Sequence, residues 1–266
     1  MENKKYELLP AKNMLIDTKG TYRMMHRIRA LKDICISVSV GDLGGYIESE
    51  KNLSHYGKCW VFDNAMVYDN AKISDDATIR AYSRMFGNTT AYGACGISGW
   101  AEVHGNASIW GNAVVNKNSV VSGHANIHGS AVITDDAQVY GLSSVGGLAN
   151  VRGQSEVCGN VSLYGQVIVF GNARVDGFFS LNEKYGIGGH ALITERNHVF
   201  GALNVGTEYG NLTVYKQEDG SLGCTRGCFI GTVDEFITKS KRVHDERVHT
   251  EYKLLIDVAK SRILGE

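Results

Sequence analysis

A strict six-residue period runs through the middle of the chain and restricts its fold more than any other feature. Counting from position 61 in steps of six gives twenty-five consecutive apolar residues without one insertion. These are Val61, Val67, Ile73, Ile79, Met85, Ala91, Ile97, Val103, Ile109, Val115, Val121, Ile127, Ile133, Val139, Val145, Val151, Val157, Leu163, Val169, Val175, Leu181, Ile187, Ile193, Val199 and Val205. A fixed short period is typical of a repeat architecture.

The spacing excludes a helix and indicates short strands. One helical face needs apolar residues near a 3.6-residue period, whereas a strand turns alternate side chains to the same face. Two positions before most of the aliphatic residues lies a small one, such as Ala65 or Ala107. Glycine or aspartate followed by asparagine, as at 105–106 and 63–64, supplies corners that tolerate a left-handed backbone. Three strand-and-corner units predict an 18-residue triangular coil, and the whole run predicts about eight coils of an all-β parallel solenoid.

This pattern resembles the hexapeptide-repeat proteins, whose fold is a left-handed parallel β-helix, and the left-handed sense is implied by that resemblance alone. The glycine lies two places after the aliphatic residue, one place later than in the commonest form of the motif. HRIRALKDI (26–34), GDLGGYIESEKNLS (41–54) and GKCWVFDNAMVYDNAKI (57–73) resemble the YdcK-like β-helix proteins of bacteria and phages. That resemblance implies an architecture and little chemistry.

The two ends of the repeat predict capping segments. We expect an N-terminal cap at 1–56, the β-helix at 57–205 and a C-terminal cap at 206–266. Residues 211–225 alternate around an Asp-Gly pair as a β-hairpin does, and Thr232 with Glu235 forms a capping box at a helix start. An amphipathic helix, acting as a cap or binding a partner, is predicted from Val248, Tyr252, Leu255, Ile256, Ala259 and Ile263.

Composition narrows the setting in which the chain acts. The formal net charge of −1 gives no global field that favours nucleic acid or an anionic membrane. No apolar run approaches the roughly 18 residues of a membrane span. Six scattered cysteines without a secretion signal predict reduced thiols in the cytoplasm.

Catalysis by a protein of this type depends on histidine. The hexapeptide-repeat resemblance implies acyltransferases that use a coenzyme A thioester, or zinc-dependent carbonic anhydrases, commonly as trimers with sites between subunits. His104, His124 and His128 are the candidate general bases, because neutral imidazole accepts protons near pH 7. A zinc site needs three imidazoles, yet no histidine lies one coil from another, so we predict no metal and no resident cofactor.

Aromatic side chains recur at 18-residue spacing and form two columns. They either line a surface for a sugar, a nucleobase or a partner chain, or only stabilise the coils by stacking. The first column is Tyr92, Trp110, His128 and Tyr164, and the second is Tyr68, Phe86, His104 and Tyr140.

Apolar residues at outward positions predict self-association. A strip without charge on a coil surface more often marks an oligomer interface than an active site. We therefore expect a homo-oligomer, with a trimer favoured, through Val114, Val120, Val132 and Ile168.

These features favour a non-enzymatic β-helix scaffold over an enzyme. Such a protein would bind a host protein or a small ligand, including a nucleotide signal if a phage encodes it as an antagonist of host defence. The alternative is an acyltransferase that uses coenzyme A and one groove histidine. The unbroken register speaks against that alternative, because many such enzymes extrude a loop to shape the acceptor site.

Overall fold

The computed structural model describes residues 4–16 and 20–265. The fold is mostly β, and a stacked parallel β-solenoid of about eight turns is its main element. The chain forms two compact units, residues 1–135 and residues 136–266. The predicted solenoid is thereby confirmed.

The first unit begins with four longer strands. The bounds of these strands are β1 (Tyr6–Leu8), β2 (Lys12–Leu15), β3 (Tyr22–Ala30) and β4 (Leu43–Ile47). Strand β3 pairs antiparallel with β1, β2 and β4. A short 3-10 helix at Glu50–Asn52 then leads into the coils.

Thirteen two-residue strands follow in the first unit. They are β5 (Trp60–Val61), β6 (Met66–Val67), β7 (Lys72–Ile73), β8 (Thr78–Ile79), β9 (Arg84–Met85), β10 (Thr90–Ala91), β11 (Gly96–Ile97), β12 (Glu102–Val103), β13 (Ser108–Ile109), β14 (Val114–Val115), β15 (Val120–Val121), β16 (Asn126–Ile127) and β17 (Val132–Ile133). Their parallel partners are 18 residues apart, as Ile79 and Ile97 are. Strand β4 already pairs in parallel with β6, so the stack starts before position 57.

The corners explain the composition of the repeat. From Val61 to Val169, the residue two places after each residue of the aliphatic column takes a left-handed backbone, with φ of 76° at Gly105. A Cβ there would lie 3.0 Å from the backbone N of Gly123. Where aspartate replaces glycine, its side chain bonds to the next coil: Asp63 accepts from the N–H of Ala81 at 2.9 Å. Glycine thus permits close stacking, and aspartate offsets its strain with a hydrogen bond.

The second unit continues with parallel strands and ends in an antiparallel sheet and two helices. Its elements are β18 (Gln138–Val139), β19 (Ser144–Val145), β20 (Asn150–Val151), β21 (Glu156–Leu163), β22 (Ile168–Val169), β23 (Arg174–Leu181), β24 (Gly186–Ile187), β25 (Leu192–Ile193), β26 (Val199–Val205), β27 (Gly210–Lys216), β28 (Leu222–Arg226), β29 (Phe229–Thr232), α1 (Val233–Val243) and α2 (Glu246–Leu264), with a 3-10 helix at Arg196–His198. The antiparallel pairing starts at β26, earlier than the expected boundary at 206.

The C-terminal segment contains the expected hairpin and a second, unexpected helix. Strands β27 and β28 pair antiparallel, and the backbone N–H of Thr232 donates to the Glu235 carboxylate at 2.8 Å in the predicted capping box. The helix breaks after Val243 because the Asp245 side chain caps a new start, accepting from the N–H of Val248 at 2.8 Å. The apolar face of α2 is buried with Leu212 and Val214 of the sheet. No helix in the described ranges is long and apolar enough to span a membrane.

Candidate functional site

A cavity of about 560 Å³ lies in the first unit, where the N-terminal segment meets the first coils. Leu53, Ile73 and Ala91 contribute apolar wall, and Ile73 pairs with both of the others. Ala91 is the only alanine in the aliphatic column, and it lies at this wall. The cavity is therefore part of the coil surface and not a gap in a loop.

Buried contacts fix the N-terminal segment beside the cavity. The Nζ of Lys5 donates to the backbone O of Cys59 at 2.9 Å and to its Sγ at 3.1 Å. Burial lowers the pKa of Lys5 and raises the pKa of the Cys59 thiol. The Tyr6 hydroxyl donates to Leu53 O at 2.7 Å, and the Tyr6 ring stacks on His55 at 4.3 Å. These bonds preform one side of the cavity.

Three successive corners of the stack bring Tyr56, Ser74 and Tyr92 to the cavity. The N–H of Cys59 donates to Asp75 O at 2.7 Å, and the N–H of Ser74 donates to Ala91 O at 3.0 Å, so the corners lie on one another. Tyr56 is 83% exposed and Tyr92 is 39% exposed. Ser74 therefore lies one coil before Tyr92, and the column of rings stops there. Leu53 is the partner of Ile73 in the preceding turn, so Tyr56 lies at the cavity but not in register with Ser74.

Lysines give the cavity positive charge. Lys4 forms a salt bridge of 2.8 Å with Glu50, which neutralises the charge of this carboxylate. Lys51 and Lys72 also line the cavity, are exposed, and form no ion pair among the described residues. His55 accepts from the N–H of Lys5 at Nδ1, at 3.2 Å, which places its proton on Nε2. The cavity therefore combines aromatic rings with two unpaired cations.

The first predicted aromatic column extends from this cavity. Tyr92 stacks on Trp110 at a centroid distance of 6.0 Å, and Trp110 stacks on His128 at 4.5 Å. Burial lowers the pKa of His128 below its ordinary 6.5, which favours neutral imidazole. Tyr164 belongs to the second unit, where its hydroxyl lies 3.1 Å from Ser144 Oγ. Tyr92 is thus the column residue that meets the candidate site.

The second predicted column has a different environment. Tyr68 stacks on Phe86 and Phe86 on His104, each at 5.0 Å. Tyr68 is only 4% exposed, because Met25 and Tyr46 of the N-terminal strands cover it. Tyr68 and Phe86 also line a cavity of about 320 Å³, and ligand binding at this column stays a prediction.

The remaining aromatic position, Tyr140, lies in the second unit. Its hydroxyl donates to the Glu156 carboxylate at 3.0 Å. A hydrogen bond with Cys158, burial and the bond to Glu156 together raise the pKa of the phenol. The hydrogen bond to Glu156 orients the ring for packing within its own coil surface.

The candidate catalytic histidines are not assembled into one site. His104 and His128 stack in different columns, and His124 is exposed with its Nε2 3.4 Å from Asn106 Nδ2. No three histidine, cysteine, aspartate or glutamate side chains converge as a metal site within residues 4–16 and 20–265. Acyl transfer with coenzyme A stays a prediction, without a constellation around any of the three.

The four predicted interface residues do not all belong to one strand stack. Val114 and Val132 are register partners on one face, whereas Val120 pairs with Glu102 on another strand stack. In the second unit, Ile168 pairs with Gly186. All four side chains are half-buried. The interface and the homotrimer stay predictions.

Sequence reasoning missed Tyr56, Ser74 and the lysines of the cavity. Ser74 precedes Tyr92 by 18 residues, so extending the column count towards the N-terminus would have found it. Tyr56 reaches the cavity through a turn whose register is shifted by two residues, because Leu53 pairs with Ile73. The lysines carry no such signal, because Lys4 and Lys51 reach the cavity through the irregular N-terminal segment.

Comparison with known proteins does not indicate a function, so the functional proposal depends on the geometry of the cavity. The chain matches no protein-family model, and no curated protein is similar to it in sequence. The β-solenoid is consistent in architecture with a hexapeptide-repeat β-helix.

Proposed function

We propose that the protein is a non-enzymatic β-helix binding protein whose ligand is a small planar anion of the nucleotide class, held in the first-unit cavity. One observation carries the proposal: the ring column of Tyr92 stops at Ser74, at the wall of a cavity that Lys51 and Lys72 line without an ion pair among the described residues. A ligand ring at the Ser74 corner extends the column.

The dimensions fit one ring. Parallel strands stack about 4.8 Å apart, so a ligand ring at the Ser74 corner lies about 5 Å from the ring of Tyr92 on the next coil. That separation is within the 4.5–7 Å range of stacked aromatic pairs. The same column already stacks Trp110 and His128 at 4.5 Å.

The charges fit an anion attached to that ring. Lys51 and Lys72 lack carboxylate partners among the described residues, while Glu50 is engaged by Lys4. Ammonium groups bind phosphate as point charges, so they suit a phosphate on a flexible linker such as ribose. A phage protein that holds a nucleotide signal without turning it over would lower the free concentration of that signal and so antagonise host defence. We expect this binding in the cytoplasm, where unpaired thiols stay reduced.

Isothermal titration calorimetry with adenosine and guanosine monophosphates tests the proposal. Adenosine and inorganic phosphate, which each lack half of the ligand, should bind more weakly than either nucleotide. Stacking of a base on an aromatic ring contributes about 1–3 kcal/mol, so Tyr92→Ala should weaken binding about tenfold. Lys72→Gln should weaken it about fivefold and reduce its dependence on salt.

Matched controls separate the site from the general surface. Tyr82→Ala removes an exposed ring that stacks on Trp100 at 4.4 Å outside the cavity, and it should leave affinity unchanged. The nucleotide recovered after incubation should be chemically intact. Failure of both nucleotides to bind, or equal losses in Tyr82→Ala and Tyr92→Ala, contradicts the proposal, and conversion of the nucleotide contradicts its non-enzymatic part.

A further inference from the structure

A second cavity, of about 510 Å³, lies within the second unit between the coil surface and the antiparallel sheet. Three cationic residues line it, Arg152, Lys184 and Arg226, and no aspartate or glutamate is among its described lining residues. The whole chain has a net charge of −1, so this local excess of three positive charges is not a property of the composition. Uncompensated cations in a concave site attract anions.

Arg226 is the central observation. Its side chain is 9% exposed, and its Nε is buried without a hydrogen-bond partner among the described residues. The Nη2 donates to Val205 O at 3.0 Å, and Nη1 forms a long salt bridge of 3.7 Å with Glu208, whose side chain is 79% exposed. A long salt bridge to an exposed carboxylate compensates a buried guanidinium only in part, so a further anion in the cavity stabilises it.

The walls of this cavity are held in place by specific bonds. The hydroxyl of Thr225 donates to Gly186 O at 2.7 Å, and the N–H of Gly186 donates to Thr213 Oγ1 at 3.0 Å. A Cβ at Gly210 would lie 2.2 Å from Arg226 Nη1, so the absence of a side chain there admits the guanidinium. The sheet is thereby fixed to the coil, and the arginine is preorganised.

We infer that this cavity binds a small organic phosphate monoester, as a site separate from the nucleotide cavity of the first unit. A phosphate dianion neutralises more of the three cations than a carboxylate does, and a guanidinium binds it through paired N–H donors. Phe170 and Phe229 line the same cavity, with Arg152 Cζ 5.5 Å from the Phe170 ring centre. These rings accommodate the organic part of the ligand.

Cys228 provides the readout. It lines the cavity and its thiol is exposed, whereas Cys35 is a partly exposed thiol in the first unit. Alkylation by N-ethylmaleimide, followed at each cysteine by peptide mass spectrometry, is measured during titration with phenyl phosphate. We expect phenyl phosphate to slow the reaction of Cys228 and to leave Cys35 unchanged. Phenol, which lacks the anion, should protect Cys228 at least tenfold less effectively, and inorganic phosphate should protect it at higher concentration.

The variants use exposed cations, because Arg226 is packed and its replacement can prevent folding. Arg152→Gln and Lys184→Gln should each raise the phenyl phosphate concentration for half-protection about fivefold, and more together. Lys253→Gln, an exposed charge on α2, is the matched control and should have no effect. Tyr92→Ala should also have no effect, so this inference is tested independently of the proposed function.

Three results would overturn the inference. They are no protection of Cys228 by saturating phenyl phosphate, equal protection by phenol, and unchanged protection in the Arg152→Gln Lys184→Gln double variant.

Discussion

The two aromatic columns of the first unit have the same spacing and the same kinds of ring, yet the N-terminal segment buries the first ring of one column and leaves the first ring of the other partly exposed. Tyr68 begins one column at 4% exposure beneath Met25 and Tyr46, whereas Tyr92 lies at 39% exposure beside the lysine-lined cavity. The charges differ as well: Arg23 pairs with Asp69 at 2.6 Å beside Tyr68. The N-terminal segment therefore determines whether the first ring of each column is packed in the core or accessible at the surface.

The largest expected effect follows from the burial of Tyr68. Tyr68→Ala should lower the free energy of unfolding by about 3 kcal/mol, because a fully packed ring leaves a cavity. Tyr92→Ala should cost less than about 1 kcal/mol, since its ring is partly exposed. Urea unfolding followed by circular dichroism measures both values. Equal losses would show that the two columns have the same role in packing.

The corners should not share this asymmetry. Gly87 follows Phe86 and Gly111 follows Trp110, both with left-handed φ, at 75° and 74°. A Cβ at either would approach the backbone O of the next corner to 2.7 or 2.9 Å. Gly87→Ala and Gly111→Ala should each cost about 2 kcal/mol in the same urea experiment. If one of these substitutions left the free energy of unfolding unchanged, the coil around that glycine would relax independently of its neighbours.

The pH dependence of stability should single out the open column. Burial holds the pKa of His128 below its ordinary value of 6.5, so the unfolded chain takes up a proton more readily as the pH falls through about 6.5. Stability contributed by neutral His128 is thus present above that pH and lost below it. His128→Phe keeps a ring against Trp110 and cannot titrate. It should lose less stability than the native chain between about pH 7.5 and about pH 5.5.

His198 is the internal reference for that experiment. Burial lowers its pKa as well, so His128→Phe should retain part of the decline at low pH. A decline identical to that of the native chain would contradict the assignment to His128.

The smallest expected effect is a gain. Ala81 takes a left-handed φ of 59° at a corner where most repeats carry glycine. Ala81→Gly should stabilise the chain by about 0.5 kcal/mol, the relief of strain less the added freedom of the unfolded state. The midpoint of urea unfolding checks this, and a destabilised variant would show that the corner carries no strain.

The contrast between the columns also separates the features that the sequence predicted from those that it did not. The aliphatic column, the corners and the ring stacks follow from local geometry repeated every six residues, so periodicity alone predicted them. The burial of Tyr68 and the approach of Lys4 and Lys51 to Tyr92 depend on how β1 to β4 fold back, and those strands carry no period. The serine at position 74, where the column of rings stops, was visible in the 18-residue count. Only the cavity beside it indicates a place for a ligand.

Placing an aromatic ring at position 74 is the most direct test of the claim that a ligand ring stacks there. Ser74→Tyr places a ring one coil before Tyr92, where we propose that the ligand ring stacks. Ser122→Tyr fills the corresponding interruption after His104 in the other column and is the matched control. Both variants are compared with the native chain by calorimetric titration of adenosine and guanosine monophosphates.

The account predicts that Ser74→Tyr gains about 1 kcal/mol in stability from ring stacking and loses at least tenfold in nucleotide affinity. Ser122→Tyr should keep the native affinity. A folded Ser74→Tyr protein that binds nucleotide as tightly as the native chain would contradict the claim that the cap leaves this column open for a ligand.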